Sequence, residues 1–214
     1  MKKKKLDIVY EDKYMIVINK TANLLMIAKD NGFGVNLYHE VSDYVKKQYP
    51  KNKIFIVHRL DRETRGLVIF AKDEKTKRYL QDHWSQVKRK YYAVVSGKVV
   101  NKNGHLENYL QENAQMKVYI SNKGQLAITD YKVLETNQKN TLLDVEIKTG
   151  RKNQIRVQLA NIGHHIVGDK KYGVKQSGDL ALQSYYLEFK HPVTKEKMIV
   201  EKELDKYLEQ LVHP

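Results

Sequence analysis

Two fully apolar segments of strand length, residues 54–57 and 66–71, are separated by a short and strongly charged segment. Residues 58–66 read His-Arg-Leu-Asp-Arg-Glu-Thr-Arg-Gly, which places Asp61 among three arginines. An unpaired charge is costly to bury. Charges that lie between two buried strands are therefore expected either to pair with one another or to serve a function. Two interpretations follow: a structural ion-pair cluster at a sheet edge, or a functional site around Asp61.

The other elements predict an α+β fold. Residues 6–10 and 14–19 have the composition of a β-hairpin, and strand patterns recur at residues 91–95, 116–120, 126–134, 143–147 and 180–189. Helical spacing is found at residues 35–48, from Asp73 as N-cap to Val87, after Gly150 as far as Gly163, and at residues 201–211. About eight strands and four helices in no strict βαβ order predict a central, largely antiparallel or mixed sheet flanked by helices.

Composition excludes several classes of protein. The 214 residues contain no cysteine, which removes disulfide scaffolds, Cys-type zinc sites and thiol nucleophiles. No apolar run approaches the eighteen residues that a membrane span needs, and no signal peptide is recognisable. With no repeat or Pro-rich linker, we expect one domain over residues 1–214, preceded by a frayed basic tail at residues 1–5. A cytoplasmic location is compatible with this composition.

The net charge of +14 points to a polyanionic partner, either nucleic acid or an anionic membrane face. Residues 51–100 carry 13 basic and 5 acidic side chains, which is more than half of the excess. Lysine supplies most of the positive charge, and only seven of the 39 basic residues are arginine. The guanidinium group matches phosphate and carboxylate in a planar, bidentate way, so the clustering of these few arginines is informative. They are Arg59, Arg62, Arg65, Arg78, Arg89, Arg151 and Arg156.

The charged segment resembles a known signature. Residues 58–66 are similar to the His-Arg-Leu-Asp-x-x-Thr-Ser-Gly motif of the RluA-type family of RNA pseudouridine synthases. Further segments resemble motifs of the same family, in the same order, over nearly the whole chain. They are residues 19–23 (Asn-Lys-Thr-Ala-Asn), 89–93 (Arg-Lys-Tyr-Tyr-Ala), 149–157 (Thr-Gly-Arg-Lys-Asn-Gln-Ile-Arg-Val), 163–173 (with Gly-His-His-Ile-Val-Gly-Asp and Tyr-Gly) and 191–194 (His-Pro-Val-Thr).

This resemblance implies a pseudouridine-synthase-like catalytic domain and a role for individual residues. Asp61 matches the catalytic aspartate, which acts at the sugar carbon, at a base carbon, or as a base on the sugar. Tyr91 matches the tyrosine that packs against the flipped base. Arg156 matches the basic residue that pairs with the catalytic carboxylate, and Arg151 is the weaker candidate for that role.

RNA contact is expected from Arg59, which matches the arginine that enters the stack where the target base leaves it. Arg62, Arg65 and Arg151 are further candidates for RNA binding. Flipping a base costs on the order of a few kcal/mol, and stacking on an aromatic ring returns roughly 1–3 kcal/mol. We expect rRNA or tRNA as substrate and partner, a monomer, and no membrane, metal or small-molecule cofactor.

Some positions depart from the family pattern. Arg65 replaces the usual Ser, Asn153 the usual His, and Thr21 and Asn23 the usual Pro and Gly. Since only five residues precede the first predicted strand, we expect no separate N-terminal RNA-binding module. Two alternatives remain open: a non-catalytic basic RNA-binding or ribosome-assembly protein, and a metal-dependent nuclease with Asp61 as ligand.

Overall fold

A computed structural model describes residues 6–28, 35–173 and 177–213. The predicted basic tail, residues 1–5, lies outside these ranges. The chain divides into two compact units, the first formed by Met1–Val87 with Tyr186–Lys202 and the second by Lys88–Tyr185 with Glu203–Pro214. The single domain expected from the sequence stays a prediction. Over the described ranges, no helix has the length and apolar character to span a membrane.

The described residues form eleven β-strands, four α-helices and one short 3₁₀ helix at Trp84–Gln86. The strands are β1 (Ile8–Glu11), β2 (Met15–Lys20), β3 (Phe55–Ile56), β4 (Arg65–Ala71), β5 (Lys88–Ser96), β6 (Asn103–Glu112), β7 (Val118–Ile120), β8 (Gln125–Thr136), β9 (Asn140–Ile147), β10 (Leu182–Lys190) and β11 (Lys197–Glu201). The helices are α1 (Leu37–Gln48), α2 (Glu74–Asp82), α3 (Gln154–Asn161) and α4 (Lys206–Val212).

The first unit is built around β4, in which all seven residues are buried. β2 pairs with β4 in antiparallel register from Met15↔Ala71 to Lys20↔Gly66, and β3 also pairs with the end of β4. β1 completes the predicted hairpin with β2, while the last part of β10 pairs with β11. The apolar run at residues 66–71 therefore forms the central strand that its composition predicts.

The second unit contains an antiparallel sheet in the order β5, β9, β8, β6, β7. Helix α3 inserts Ile155 and Leu159 into the core that covers one face of this sheet, and α4 contributes Leu208 and Val212. On the other face, polar side chains of neighbouring strands bond one another. His105 lies opposite Asp130 and bonds it at 2.6 Å, and Lys90 bonds Asp144, which lies diagonally across from it on β9, at 3.1 Å.

The α+β class and the hairpin are confirmed, but several boundaries are wrong. Helix α2 begins after Asp73 as predicted, yet it ends at Asp82 instead of continuing to Val87. The Trp84 ring stacks on His58 with centroids 4.3 Å apart, an arrangement that the 3₁₀ turn accommodates. The predicted helix at residues 201–211 begins only at Lys206, because Lys197–Glu201 forms a strand.

A buried histidine ties the two sequence segments of the first unit together. The Nε2 of His191 lies 2.8 Å from Oδ2 of Asp12, and its Nδ1 accepts the N–H groups of Val193 (3.2 Å) and Thr194 (3.0 Å). Because Nδ1 accepts these two hydrogen bonds, the ring proton is on Nε2, and the Nε2–H group donates a hydrogen bond to Asp12. Two residues 179 positions apart in the sequence are thereby joined at a partly buried site.

We expect His191→Ala to reduce the free energy of unfolding by about 1–3 kcal/mol, since it leaves the Asp12 carboxylate and the N–H groups of Val193 and Thr194 without the partner that His191 provides. Urea denaturation followed by circular dichroism measures this. His213→Ala is the matched control, because it removes a surface histidine whose side chain is 59% exposed. Equal denaturation midpoints for the two variants would show that the hydrogen bonds of His191 contribute nothing to stability.

Candidate active site

Asp61 lies in the loop that connects β3 to β4, and the loop is held at both ends. The loop begins with His58, directly after the buried Val57. The Nε2 of His58 accepts a 3.1 Å hydrogen bond from the N–H of Ile69, which lies in the middle of β4. At the other end, the N–H of Thr64 donates to the carbonyl oxygen of Asp61 at 3.2 Å. Leu60 is buried beside Asp61, which is itself half-buried.

A buried lysine lies against this loop. Lys20, at the end of β2, is only 1% exposed. Its ammonium donates to three carbonyl oxygens, those of Thr21 (3.1 Å), Leu24 (2.9 Å) and Arg62 (2.9 Å). An ammonium has three N–H donors, so these three bonds use all of them. Lys20 therefore joins the segment after β2 to the residue that follows Asp61.

The electrostatics of Lys20 involve Asp61 directly. Burial lowers the pKa of Lys20 to about 8, although the negative charges of Glu63 and Asp61 oppose this shift and Arg65 adds to it. At neutral pH the lysine is therefore charged. The cation that contacts the loop thus belongs to the same unit as Asp61.

The three arginines around Asp61 have different surroundings. Arg59 is exposed, so its side chain is accessible to a ligand. Arg62 is also exposed, and its Nε donates to the carbonyl of Asn23 at 3.3 Å. Arg65 is the first residue of β4 and is only 8% exposed, so little of its surface is offered to a ligand.

The remaining candidates lie in the second unit. Tyr91 is half-buried on β5 and directly opposite Val145 of β9. Its neighbour Tyr92 points to the other face of the strand, where its ring stacks on Tyr185 with centroids 3.7 Å apart. Arg151 is exposed and donates from Nε to the carbonyl of Leu126 at 2.9 Å.

Arg156 is buried on α3 and makes a bidentate ion pair with Asp169. Its Nε lies 2.9 Å from Oδ2 and its Nη2 lies 2.8 Å from Oδ1 of this carboxylate. Burial raises the pKa of Asp169, but the hydrogen bonds and charge of Arg156 outweigh it, helped by the N–H groups of Lys171 and Tyr172, so that the pKa is lowered overall. The pair fixes the orientation of the guanidinium plane.

Helix α3 is anchored to β8 by glutamines. Gln154 donates from Nε2 to the carbonyl of Ile128 (2.9 Å) and to Oγ1 of Thr129 (2.8 Å). Gln158 accepts from the hydroxyl of Thr129 at 2.7 Å and donates to the carbonyl of Ala127 at 3.1 Å. This buried network positions the turn of helix from which Arg156 projects.

Two of the departures from the family pattern have a backbone explanation. Asn23 stands where the family often has Gly, and its φ is 63°. Asn153, in the place of the usual His, is also left-handed, with φ 53° and ψ 20°. Asparagine tolerates this region better than most residues other than glycine, so both asparagines suit the backbone at their positions.

Sequence reasoning missed Lys20 and Asp169 as site residues. Both belong to segments that resemble family motifs, so the signal was present, but their burial and partners depend on contacts across the fold. Among the described residues, no group of three or more His, Cys, Asp or Glu side chains could hold a metal ion. The metal-ligand alternative for Asp61 gains no support from this geometry.

A pH effect follows from the buried lysine. An unfolded chain holds the Lys20 proton up to about pH 10.4, whereas the folded chain releases it near pH 8. Between these values the unfolded state binds more protons, so the Lys20 contribution to the free energy of unfolding rises with pH, by roughly 1 kcal/mol per unit.

We therefore expect the unfolding free energy of the wild type, relative to Lys20→Met, to increase between pH 8 and pH 10. Denaturant titrations at several pH values measure it. Lys53→Met removes one exposed lysine of the same unit and controls for the change in net charge. A difference that does not vary with pH, or that falls, would contradict the buried charge.

Comparisons with known proteins agree with the motifs. A family model described as RNA pseudouridylate synthase matches residues 14–161. The chain is 32% identical to the uncharacterised RNA pseudouridine synthase YhcT of Bacillus subtilis, covering 92% of this chain and 68% of that protein. It is 34% identical to the ribosomal large subunit pseudouridine synthase C of Buchnera aphidicola, covering 97% of this chain and 70% of that protein.

Solved structures show the same fold. The human RNA pseudouridylate synthase domain-containing protein 4 superimposes with a TM-score of 0.83 at 22% identity, covering 96% of this chain and 91% of that one. The human domain-containing protein 1 gives a TM-score of 0.78 at 21% identity, covering 97% and 86%. The predicted fold class is thus confirmed. Together with the family match and the sequence relatives, these findings show that the chain belongs to the RluA-type family of RNA pseudouridine synthases, isomerases that act on RNA.

Proposed function

We propose that Asp61 is the catalytic carboxylate with which this enzyme isomerises uridine in RNA. The observation that carries this assignment is the construction of the loop, in which the buried ammonium of Lys20 donates to the carbonyl of the residue following Asp61. A half-buried carboxylate on a backbone that is fixed on both sides is positioned for chemistry at one atom of a bound nucleotide.

The reaction is an isomerisation, so substrate and product have the same composition. The bond between C1′ of the ribose and N1 of the base breaks, the uracil turns, and C5 forms the new bond to C1′. The hydrogen on C5 leaves as a proton, and N1 ends with one. Asp61 acts as nucleophile or base in this sequence and therefore works in its ionised form.

The other site residues are proposed to handle the flipped nucleotide. The exposed Arg59 fills the gap that the target base leaves in the RNA stack, and Tyr91 offers a ring to the flipped uracil. Arg156 supplies positive charge to the reacting centre, in an orientation held by Asp169. Arg62, Arg65 and Arg151 are proposed to assist RNA binding, Arg65 only through the small part of it that is exposed.

The proposed substrate is ribosomal RNA of the large subunit. Two relatives whose names specify a substrate support this, the synthase C of Buchnera aphidicola and the 35% identical synthase D of Xylella fastidiosa. The net charge of +14 suits a structured RNA as partner. We further propose that the enzyme works in the cytoplasm, as a monomer, and without a cofactor. Transfer RNA remains the second candidate substrate, since the catalytic geometry is independent of the RNA that carries the uridine.

We expect Asp61→Asn to lower the rate of isomerisation by about 10³-fold or more, because the amide can serve neither as nucleophile nor as base. Total RNA labelled with tritium at uridine C5 is the substrate, and release of tritium to water is the readout. Asp82→Asn, at the exposed end of α2, is the matched control and should retain full activity. RNA binding by Asp61→Asn should be unchanged.

Tritium release, RNA binding and RNA integrity, measured on the same samples, separate the alternatives. Release that persists in Asp61→Asn would refute the assignment of the catalytic residue. Binding without release from any RNA by the wild-type protein would favour a non-catalytic RNA-binding protein. Strand scission that EDTA abolishes would identify a metal-dependent nuclease.

A further inference from the structure

Three positively charged side chains meet at the ring of Tyr172 in the second unit. The Nζ atoms of Lys117 and Lys171 lie 6.0 and 5.6 Å from the centre of this ring, and the Cζ of Arg156 lies 5.5 Å from it. The two lysines come from segments more than fifty residues apart, so tertiary structure brings them together. Lys117 is exposed, while Lys171 and Tyr172 are half-buried.

The ring is fixed in place. Its hydroxyl accepts the N–H of Val118 at 3.0 Å and donates to Oδ1 of Asn153 at 3.3 Å. Lys171 is also positioned, since its Nζ donates to the carbonyl of Met116 at 2.8 Å. The ring and Lys171 are therefore positioned by the protein before any ligand arrives, which lowers the entropic cost of binding.

Packing alone is a weak explanation for this arrangement. One cation over an aromatic ring is a favourable contact, but further positive charges around the same ring repel one another. An anion that binds at this ring would reduce that repulsion. Arg156 already has Asp169 as its anionic partner, so the two lysines are the charges that an added anion would meet. Because Arg156 is the proposed catalytic arginine, an anion at this ring would be close to the nucleotide on which Arg156 acts.

We propose that Lys117, Lys171 and Tyr172, here called the Tyr172 patch, bind the phosphodiester backbone of the RNA next to the target uridine. The lysines neutralise phosphates, and the ring holds the lysines at the required spacing. This inference rests on the proposed function, because it takes RNA as the substrate and Arg156 as part of the site. It adds a binding surface that neither the arginine pattern nor the family motifs assign.

The test uses the double variant Lys117→Ala/Lys171→Ala and a fluorescein-labelled oligouridylate as probe. Each phosphate contact with single-stranded RNA contributes about 0.7 to the slope of log affinity against log salt concentration. We expect the slope to become shallower by roughly 1 to 1.5, and the affinity at 0.1 M KCl to fall roughly ten- to thirtyfold. In the tritium assay, KM should rise by a similar factor while kcat stays close to that of the wild type.

The matched control is Lys132→Ala/Lys139→Ala, which removes two exposed lysines from the same unit and changes the net charge equally. Because salt screens charges that are not in contact with the RNA, its slope and affinity should stay within about twofold of the wild type. If both double variants lose the same affinity and slope, only nonspecific surface charge is at work and the patch is refuted. Unchanged binding by the Lys117→Ala/Lys171→Ala variant refutes it as well.

Failure of this inference is distinguishable from failure of the proposed function. Tritium release by the wild type, together with identical behaviour of the two double variants, refutes the patch and leaves the enzyme intact. Oligouridylate binding that depends on the patch, with no tritium release by the wild type, supports the patch and refutes the proposed function.

Discussion

The buried ammonium of Lys20 is the interaction on which the candidate site depends. A lysine that is 1% exposed loses nearly all of its hydration, and three carbonyl oxygens replace the water. That exchange fixes the loop around Asp61 and places a positive charge on the same unit as the carboxylate. A charge that is costly to bury is retained where it organises the backbone of a functional loop.

In the second unit, a buried cation is fixed by an anionic partner. Arg156 is held by Asp169 through two hydrogen bonds, and the glutamines of α3 fix the helix that carries it. The bidentate pair limits the motion of a long side chain, so the guanidinium presents one defined edge to its surroundings. In both units, then, a cation is placed by neutral or anionic partners of the protein itself, and base flipping and isomerisation require such preorganised charge.

Much of this structure was predictable from residue patterns, and the exceptions have physical causes. The central strand β4 and the β1–β2 hairpin follow from apolar composition, which is a local signal. Strand β6 was missed because His105, Glu107 and their exposed neighbours outnumber its apolar residues, so its pattern reads as a loop. Asp61 could be proposed as the catalytic residue from its motif alone, since a motif is also a local signal.

The partners of the site residues could not be predicted in the same way. The sequence suggested Asp61 as the partner of Arg156, and that pairing stays a prediction, whereas the ion pair described for Arg156 is with Asp169. Lys20 belongs to residues 19–23, which resemble a family motif. The neighbouring residues give no sign that its ammonium bonds the carbonyl of Arg62, 42 residues away. Long-range burial decides both cases, and it is a property of the fold.

The most direct test is to map pseudouridines in the RNA of cells that lack this protein. At least one pseudouridine of large-subunit ribosomal RNA should be missing, should return when the wild-type chain is supplied, and should stay absent with Asp61→Asn. An unchanged set of pseudouridines in every cellular RNA, or full restoration by Asp61→Asn, would contradict the central claim that this loop carries the catalytic carboxylate.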